Sequence, residues 1–249
     1  MRQETELQGK YVLVTGASSG IGLQIARQFL QQGARVGIHY YRNRAGAEEV
    51  AGIAQKEHSR IFQADFSKSQ QVYRLWDEFL EWAGTISILV NNAGDVVAPM
   101  TLDRFSEEAW DRAFQINAKA PVILSQKAME IMRERAWGRI INISSIGVKY
   151  GGGVSTAHYS ASKAALEAVT LSLAKEGAPY SVLVNAVRAG VTNTSLHQKL
   201  GRGDLSERSK LIPLKRVADP QEIAHMVLFL ASEQSSFITG GILPVAGGE

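Results

Sequence analysis

Residues 10–40 read KYVLVTGASSGIGLQIARQFLQQGARVGIHY. YVLV is a short apolar run, and the glycine-rich turn TGASSGIG, Thr15 to Gly22, follows it at once. From Ile21 the apolar residues recur at three- and four-residue spacing as far as Gly33, a glycine placed to end a helix. ARVGIHY is then a second apolar run. Strand, turn, helix and strand in that order form the repeating unit of a parallel sheet, because parallel strands need a crossover and a helix supplies it.

The same alternation continues outward. A helix is expected around Ala45 to Lys56, a third strand at RIFQAD, a helix at QQVYRLWDEFLEWAG and a fourth strand at ISILVNNAG. A long helical region follows from Ser106 to Arg135, then a fifth strand at GRIINISS and a helix opening with AHYSASKAAL, Ala157 to Leu166. SVLVNAVRAG gives a sixth strand, a helix follows Asp219, and FITGGILPVAGG closes with a seventh. These strands are apolar on both faces, as a sheet covered by helices on both sides requires. The prediction is one α/β domain over residues 1–249, a doubly wound parallel sheet of seven strands. Its cofactor half would span about 8–95 and its catalytic and substrate half about 96–249. Ligands in such sheets bind at the carboxyl ends of the strands. TGASSGIG, QAD, NNAG, NISS and NAVRAG all end strands, so they should converge on one crevice.

Composition narrows the function classes. The chain has 249 residues, 45% hydrophobic and 20% charged, with a net charge of +3. That is an ordinary globular balance with no basic stripe for nucleic acid. No cysteine is present, and the five histidines show no ligand spacing, so neither disulfide nor metal chemistry is expected. The polar start MRQETELQGK is not a signal peptide, and no apolar run is long enough to span a membrane. A cytoplasmic protein is expected.

In the first turn, Gly16, Gly20 and Gly22 permit tight backbone and close approach of a pyrophosphate. Ser18, Ser19 and Ile21 complete the loop that opens the helix N-terminus. The spacing is GxxxGxG rather than GxGxxG. Together with NNAG, Asn91 to Gly94, and YSASK, Tyr159 to Lys163, it resembles the short-chain dehydrogenase/reductase family in its compact form, over essentially the whole chain. The resemblance implies a Rossmann-type domain, a nicotinamide-dependent oxidoreductase and a homotetramer.

The end of the second strand bears on which nicotinamide is used. IHYYRNRAG places Tyr41, Arg42, Asn43 and Arg44 there, and no Asp or Glu occurs between Gly22 and Glu48. An acid would favour a ribose 2′-hydroxyl, whereas guanidinium groups suit a 2′-phosphate. NADP(H) is therefore preferred over NAD(H); the competing reading makes Arg42 and Arg44 a solvated loop. By resemblance, Asp65 hydrogen-bonds the adenine amino group with Phe66 beside it, although a helix N-cap would equally suit Asp65. Asn91, Asn92, Ala93 and Gly94 would line the adenine ribose, with sheet stabilisation as a second role for Asn91.

On the catalytic side, Tyr159 and Lys163 lie four residues apart and share a helix face. A free phenol titrates near pH ~10, and a nearby ammonium should lower that value and make Tyr159 an acid/base. In the family Lys163 also holds the nicotinamide ribose. Ser145 resembles the catalytic serine, with Ser144 as its rival. The 14-residue interval from Ser145 to Tyr159 exceeds that of many relatives by one. Asn117, in FQINAKAP, matches the asparagine of the proton relay. Ala189, Gly190, Val191, Thr192 and Thr194 should contact the nicotinamide. Ala189 and Ala246 depart from the usual Pro and Asp. A polar lid is expected over about 191–215.

The pattern lies nearest to 3-oxoacyl-(acyl carrier protein) reductases. Arg133 and Arg135 would serve an acidic carrier protein, but Tyr180 stands where a second arginine is common. Sugar, steroid and small-alcohol dehydrogenases stay open as alternatives, as does, more remotely, a non-catalytic dinucleotide-binding protein.

Overall fold

A computed structural model of the chain describes residues 6–196 and 203–249. Seven strands form one parallel sheet: β1 (Tyr11–Val14), β2 (Arg35–Tyr40), β3 (Ser59–Gln63), β4 (Ile88–Asn91), β5 (Gly138–Ser145), β6 (Val182–Ala189) and β7 (Ile242–Val245). Their spatial order is 3-2-1-4-5-6-7. Chain direction across the sheet reverses between β1 and β4, so a crevice opens beyond the ends of those two strands.

The helices follow the periodicity of the sequence. They are α1 (Gly20–Gln31), α2 (Arg44–Ala51), α3 (Ser69–Ala83), α4 (Glu107–Phe114), α5 (Ala120–Glu134), α6 (Gly147–Tyr150), α7 (Ala157–Gly177), α8 (Ser206–Leu211) and α9 (Pro220–Ala231). Ile25 and Phe29 of α1, Val50 of α2 and Ile223 and Val227 of α9 pack on one face of the sheet with Val12, Val14, Val36 and Ile38. Leu75 and Phe79 of α3 and Leu124 and Met132 of α5 pack on the other with Leu13, Leu89 and Ile140. Neighbouring strand residues thus serve opposite cores, and this is why the strands read as unbroken apolar runs.

Two elements differ from expectation. The helix after β2 stops at Ala51, where Gly52 caps it, rather than continuing to Lys56. The long region from Ser106 to Arg135 is interrupted by a π-turn, Gln115–Lys119, between α4 and α5. π-turns of this kind collect at functional sites, and this one carries Asn117. Among the described residues no helix is long and apolar enough to cross a membrane, and no cluster of His, Cys, Asp or Glu could hold a metal.

Candidate active site

The strand ends do converge. A cleft of about 1100 Å³ is lined by Gly16, Asp65, Asn92, Ser145 and Ala189, one from each of the five motifs. Its first half is a cradle of backbone. Gly16 and Gly20 hold φ of 63° and 54°, a region that side chains disfavour. A Cβ on Gly22 would lie 2.2 Å from the Gly16 carbonyl oxygen. Helix α1 opens with no side-chain cap from Ser19 and no acidic residue in its first turn. Its leading N–H groups and positive end therefore suit a pyrophosphate. The turn is tied to the next strand: Asn92 and Ala93 N–H groups each donate to Thr15 Oγ1 at 2.9 Å, and Asn92 Nδ2 donates to the Thr15 and Gly16 carbonyls. A dinucleotide fits this donor set and this shape.

The rim of that half is built from β2 and β3. Tyr41, Arg42 and Asn43 line the cleft. Arg42 stacks 4.7 Å over the Tyr41 ring. Asn43 caps α2 by accepting from the Gly46 N–H, and its Nδ2 reaches the Ser18 carbonyl at 2.8 Å. Arg44 behaves otherwise than expected. It lies outside the cleft lining and pairs with Glu48 one turn along α2, at 2.7 Å. Asp65 lines the cleft, and its Oδ1 accepts the Ser67 N–H at 3.0 Å in a local turn rather than capping α3, whose N-cap is Lys68. Asn91 does not line the cleft. Its Nδ2 donates to Asn142 Oδ1 and Ser125 Oγ at 2.8 and 3.0 Å, so its side chain ties β4 to β5 and α5.

His39 escaped the sequence reading. It is buried at the end of β2, takes the Gly16 N–H on Nδ1 at 3.0 Å and sits 3.1 Å from the Ala64 carbonyl through Nε2. Burial pushes its pKa down to about 4, with the Ala64 bond opposing that shift. A lone histidine among apolar strand residues was the available signal.

In the second half, Ser145, Tyr159 and Lys163 line the cleft together, as do Gly190, Val191, Thr192 and Thr194. The two serines part company. Ser144 is buried and donates to Glu167 Oε1 at 2.6 Å, while Ser145 hydrogen-bonds the Tyr159 hydroxyl. Both residues border the cleft, but adjacent strand residues face opposite ways, and the Ser144 hydroxyl is turned to Glu167. Between Ser145 and Tyr159 the chain is turned by α6 and by Gly151 and Gly152, both at positive φ. Ser145→Ala should therefore cut turnover by about a hundredfold or more, as loss of an oxyanion partner does. Ser144→Ala should leave turnover within a few-fold, and steady-state rates on both variants check the assignment.

Lys163 is buried, and its Nζ donates to the Ile143 carbonyl at 2.7 Å. It stands 6.0 Å from the Tyr159 ring centre. Burial lowers its pKa to about 8. The expectation that this ammonium lowers the Tyr159 pKa is reversed. Burial pushes the half-buried Tyr159 phenol up to about 12, the Ser145 bond offsets part of that, and the Asp95 carboxylate adds to it. Desolvation disfavours phenolate more than the serine favours it.

Asn117 is fully buried and lies behind the cleft lining. Its Oδ1 accepts the Asp95 N–H at 2.9 Å, and its Nδ2 donates to the Asp95 carbonyl at 2.8 Å and to Ser162 Oγ at 3.0 Å. The side chain thus fixes the strap that follows NNAG. Of the expected lid, residues 197–202 lie outside the described residues; beyond them Arg208, Leu211 and Pro213 line the cleft. Among the basic residues expected to meet a carrier, Arg133 is engaged by Glu176 and stacks 5.1 Å over Tyr180, while Arg135 is exposed.

Comparison with known proteins agrees with this geometry. A family model described as enoyl-(acyl carrier protein) reductase matches residues 16–249. The 3-oxoacyl-[acyl-carrier-protein] reductase FabG of Aquifex aeolicus (strain VF5) is 38% identical, covering 98% of this chain and 99% of its own. The acetoacetyl-CoA reductase of Allochromatium vinosum is 34% identical over 96% of this chain and 98% of its own. A solved short chain dehydrogenase/reductase family protein superposes with a TM-score of 0.87 at 36% identity, covering 98% of both chains. A crystal structure of 3-ketoacyl-(acyl-carrier-protein) reductase from Brucella melitensis complexed with NADH gives 0.88 at 33% identity, over 98% and 99%. Glycine cradle, tied NNAG strap and a serine–tyrosine–lysine group on one cleft, matched along nearly the full length, make the chain a member of the short-chain dehydrogenase/reductase family and an NAD(P)-dependent oxidoreductase.

Proposed function

We propose that the protein reduces the ketone of a 3-oxoacyl thioester to the alcohol, using NADPH. The observation that carries this reading is the hydrogen-bonded pair of Ser145 and Tyr159 at one wall of the cleft, beside Lys163. The thioester class is argued from the relatives, two of which are named for 3-oxoacyl and acetoacetyl thioesters.

When bound, the dinucleotide supplies the two electrons as hydride. Gly16, Gly20 and the α1 N-terminus would hold its pyrophosphate, and Gly190 to Thr194 its nicotinamide end. A Cβ on Gly94 would come within 3.1 Å of Lys163 Nζ, so bare backbone there keeps the lysine reachable for the ribose. Ser145 and Tyr159 hold the substrate carbonyl oxygen between two hydroxyls. Tyr159, protonated at neutral pH, gives its proton to that oxygen as it becomes an alcohol. The part of Asn117 is to keep the Asp95 strap in place; a role in proton resupply rests on the resemblance.

NADPH is preferred over NADH because Arg42, just past the end of β2, lines the cleft and the first helix and second strand carry no acid. Arg42→Ala should raise the KM for NADPH about ten- to a hundredfold and that for NADH less than threefold, as loss of a charge-assisted phosphate contact would. Arg44→Ala should change neither by more than about twofold, because Glu48 already engages it. Equal effects of Arg42→Ala on both cofactors would sink the preference.

A thioester on CoA is favoured over one on a carrier protein, since of the two arginines expected to meet a carrier Arg133 is engaged by Glu176 and Tyr180, which leaves Arg135 alone exposed for it. The test follows NADPH absorbance with 3-oxoacyl-CoA, the same acyl group on a carrier protein, a sugar ketone and a cyclic ketone. Turnover of the CoA ester at least as fast as the carrier ester supports the reading. Activity confined to sugar or cyclic ketones would move the substrate elsewhere while keeping the chemistry. The homotetramer belongs to the same reading: Phe229 and Phe237 are exposed and β7 is half-exposed, which gives subunit contacts apolar surface to cover.

A further inference from the structure

His39 joins three chain segments that sequence alone holds far apart. Its Nδ1 lies 3.0 Å from the Gly16 nitrogen, whose N–H can only donate, so Nδ1 is the acceptor. Its Nε2 lies 3.1 Å from the Ala64 carbonyl oxygen, which can only accept, so Nε2 carries the proton. The two contacts admit one form, the neutral Nε2–H tautomer, and the depressed pKa agrees with it. The ring lies flat on Phe66, with centres 4.1 Å apart and planes 5° from parallel. His39, Gly16, Ala64 and Phe66 all line the dinucleotide half of the cleft.

We propose that His39 is a positioning residue of the dinucleotide site, its Nδ1 holding in shape the glycine turn that cradles the pyrophosphate. Gly16 sits at positive φ, and its N–H points away from the sheet ladder into the imidazole. Without that acceptor a buried N–H is left unpaired and the turn must open to satisfy it. None of this touches Ser145, Tyr159 or Lys163, so the effect belongs to binding rather than to the chemical step.

Two substitutions separate the contacts. Asparagine places its Oδ1 where the imidazole has Nδ1, and so keeps an acceptor for Gly16. Glutamine places its Nε2 where the imidazole has Nε2, and so keeps only the bond to Ala64. The measurement is the Kd for NADPH and for ADP by calorimetry, with kcat at saturating NADPH as a second readout. His39→Gln is expected to raise both Kd values about tenfold or more, the effect of one unpaired buried donor. His39→Asn should stay within about threefold of the unsubstituted protein, and kcat should hold within about threefold in both. Equal weakening by Asn and Gln would overturn the proposal in favour of plain packing. Failure of the unsubstituted protein to bind either nucleotide would instead remove the dinucleotide site itself, and this role with it. If the variants do not fold, 15N spectra of the unsubstituted imidazole decide. A protonated Nε2 with a bare Nδ1 coupled to the Gly16 amide supports the role, and the opposite tautomer refutes it.

Discussion

Tyr159→Phe is expected to lower kcat by about a thousandfold while changing the Kd for NADPH less than threefold, because a general acid contributes roughly that much and phenylalanine keeps the ring. The loss corresponds to about 4 kcal/mol of transition-state stabilisation. Ser145 can hold the substrate oxygen, but an alcohol does not release a proton near neutral pH. The pH behaviour follows from the raised pKa. With a phenol near 12, Tyr159 keeps its proton throughout the physiological range. Ketone reduction should therefore run on a plateau from neutral pH upward, and alcohol oxidation, which needs phenolate, should climb with pH throughout. Rates in both directions between pH 6 and 10 check this. An oxidation rate already flat at pH 7 would mean that the bound cofactor and Lys163 bring the phenol down.

Lys163→Met should abolish most activity and yet stabilise the fold. Below its folded pKa of about 8 the lysine is buried as a cation. The unfolded chain keeps that proton up to its ordinary value of 10.5, so between pH 8 and 10.5 the unfolded state binds more protons. Stability consequently rises with pH across that window, and the full cost of the buried charge is present below it. The gap between the folded and unfolded values represents about 3 kcal/mol. Methionine removes this cost but also loses the bond to Ile143, which returns about 1 to 2 kcal/mol. A net gain of about 1 to 2 kcal/mol at pH 7 is expected, or a few degrees in Tm for a chain of this length. By pH 10.5 the cost is gone and only the lost Ile143 bond remains, so the variant should there be the less stable protein by about 1 kcal/mol. Thermal unfolding of both proteins at pH 7 and pH 10 measures it, and a destabilised Lys163→Met at pH 7 would show that the Ile143 bond outweighs desolvation. A residue kept against stability is what a functional role leaves behind.

Much of this architecture was legible beforehand for a definite reason. Strands buried on both faces write themselves as apolar runs, and β5 falls on the GRIINISS segment read from the sequence. The positions of the glycine turn, NNAG, Ser145, Tyr159 and Lys163 follow from strand ends and helix phase, both local properties. What was not legible depends on burial and on partners distant in sequence. The π-turn around Asn117 leaves the helical pattern intact and shifts it by one residue. Asn91 and Asn92 look equivalent in NNAG, but one turns to Asn142 and the other to Thr15. Arg42 and Arg44 look like a pair until Glu48 takes one of them. The sign of the Tyr159 shift was misread because spacing along a helix reports which residues are close, while the pKa is set by how much water the fold removes. His39 was missed because its two partners, Gly16 and Ala64, lie just past the ends of other strands.

The most direct test of the account uses NADPH deuterated at the transferable position of the nicotinamide, incubated with the protein and a 3-oxoacyl-CoA, with the product analysed by mass spectrometry. The account predicts one deuterium on the carbinol carbon per NADPH consumed, and none with Tyr159→Phe on the same timescale. Tight NADPH binding with no label transferred to any carbonyl in the panel would contradict it and leave a dinucleotide-binding protein without a reaction.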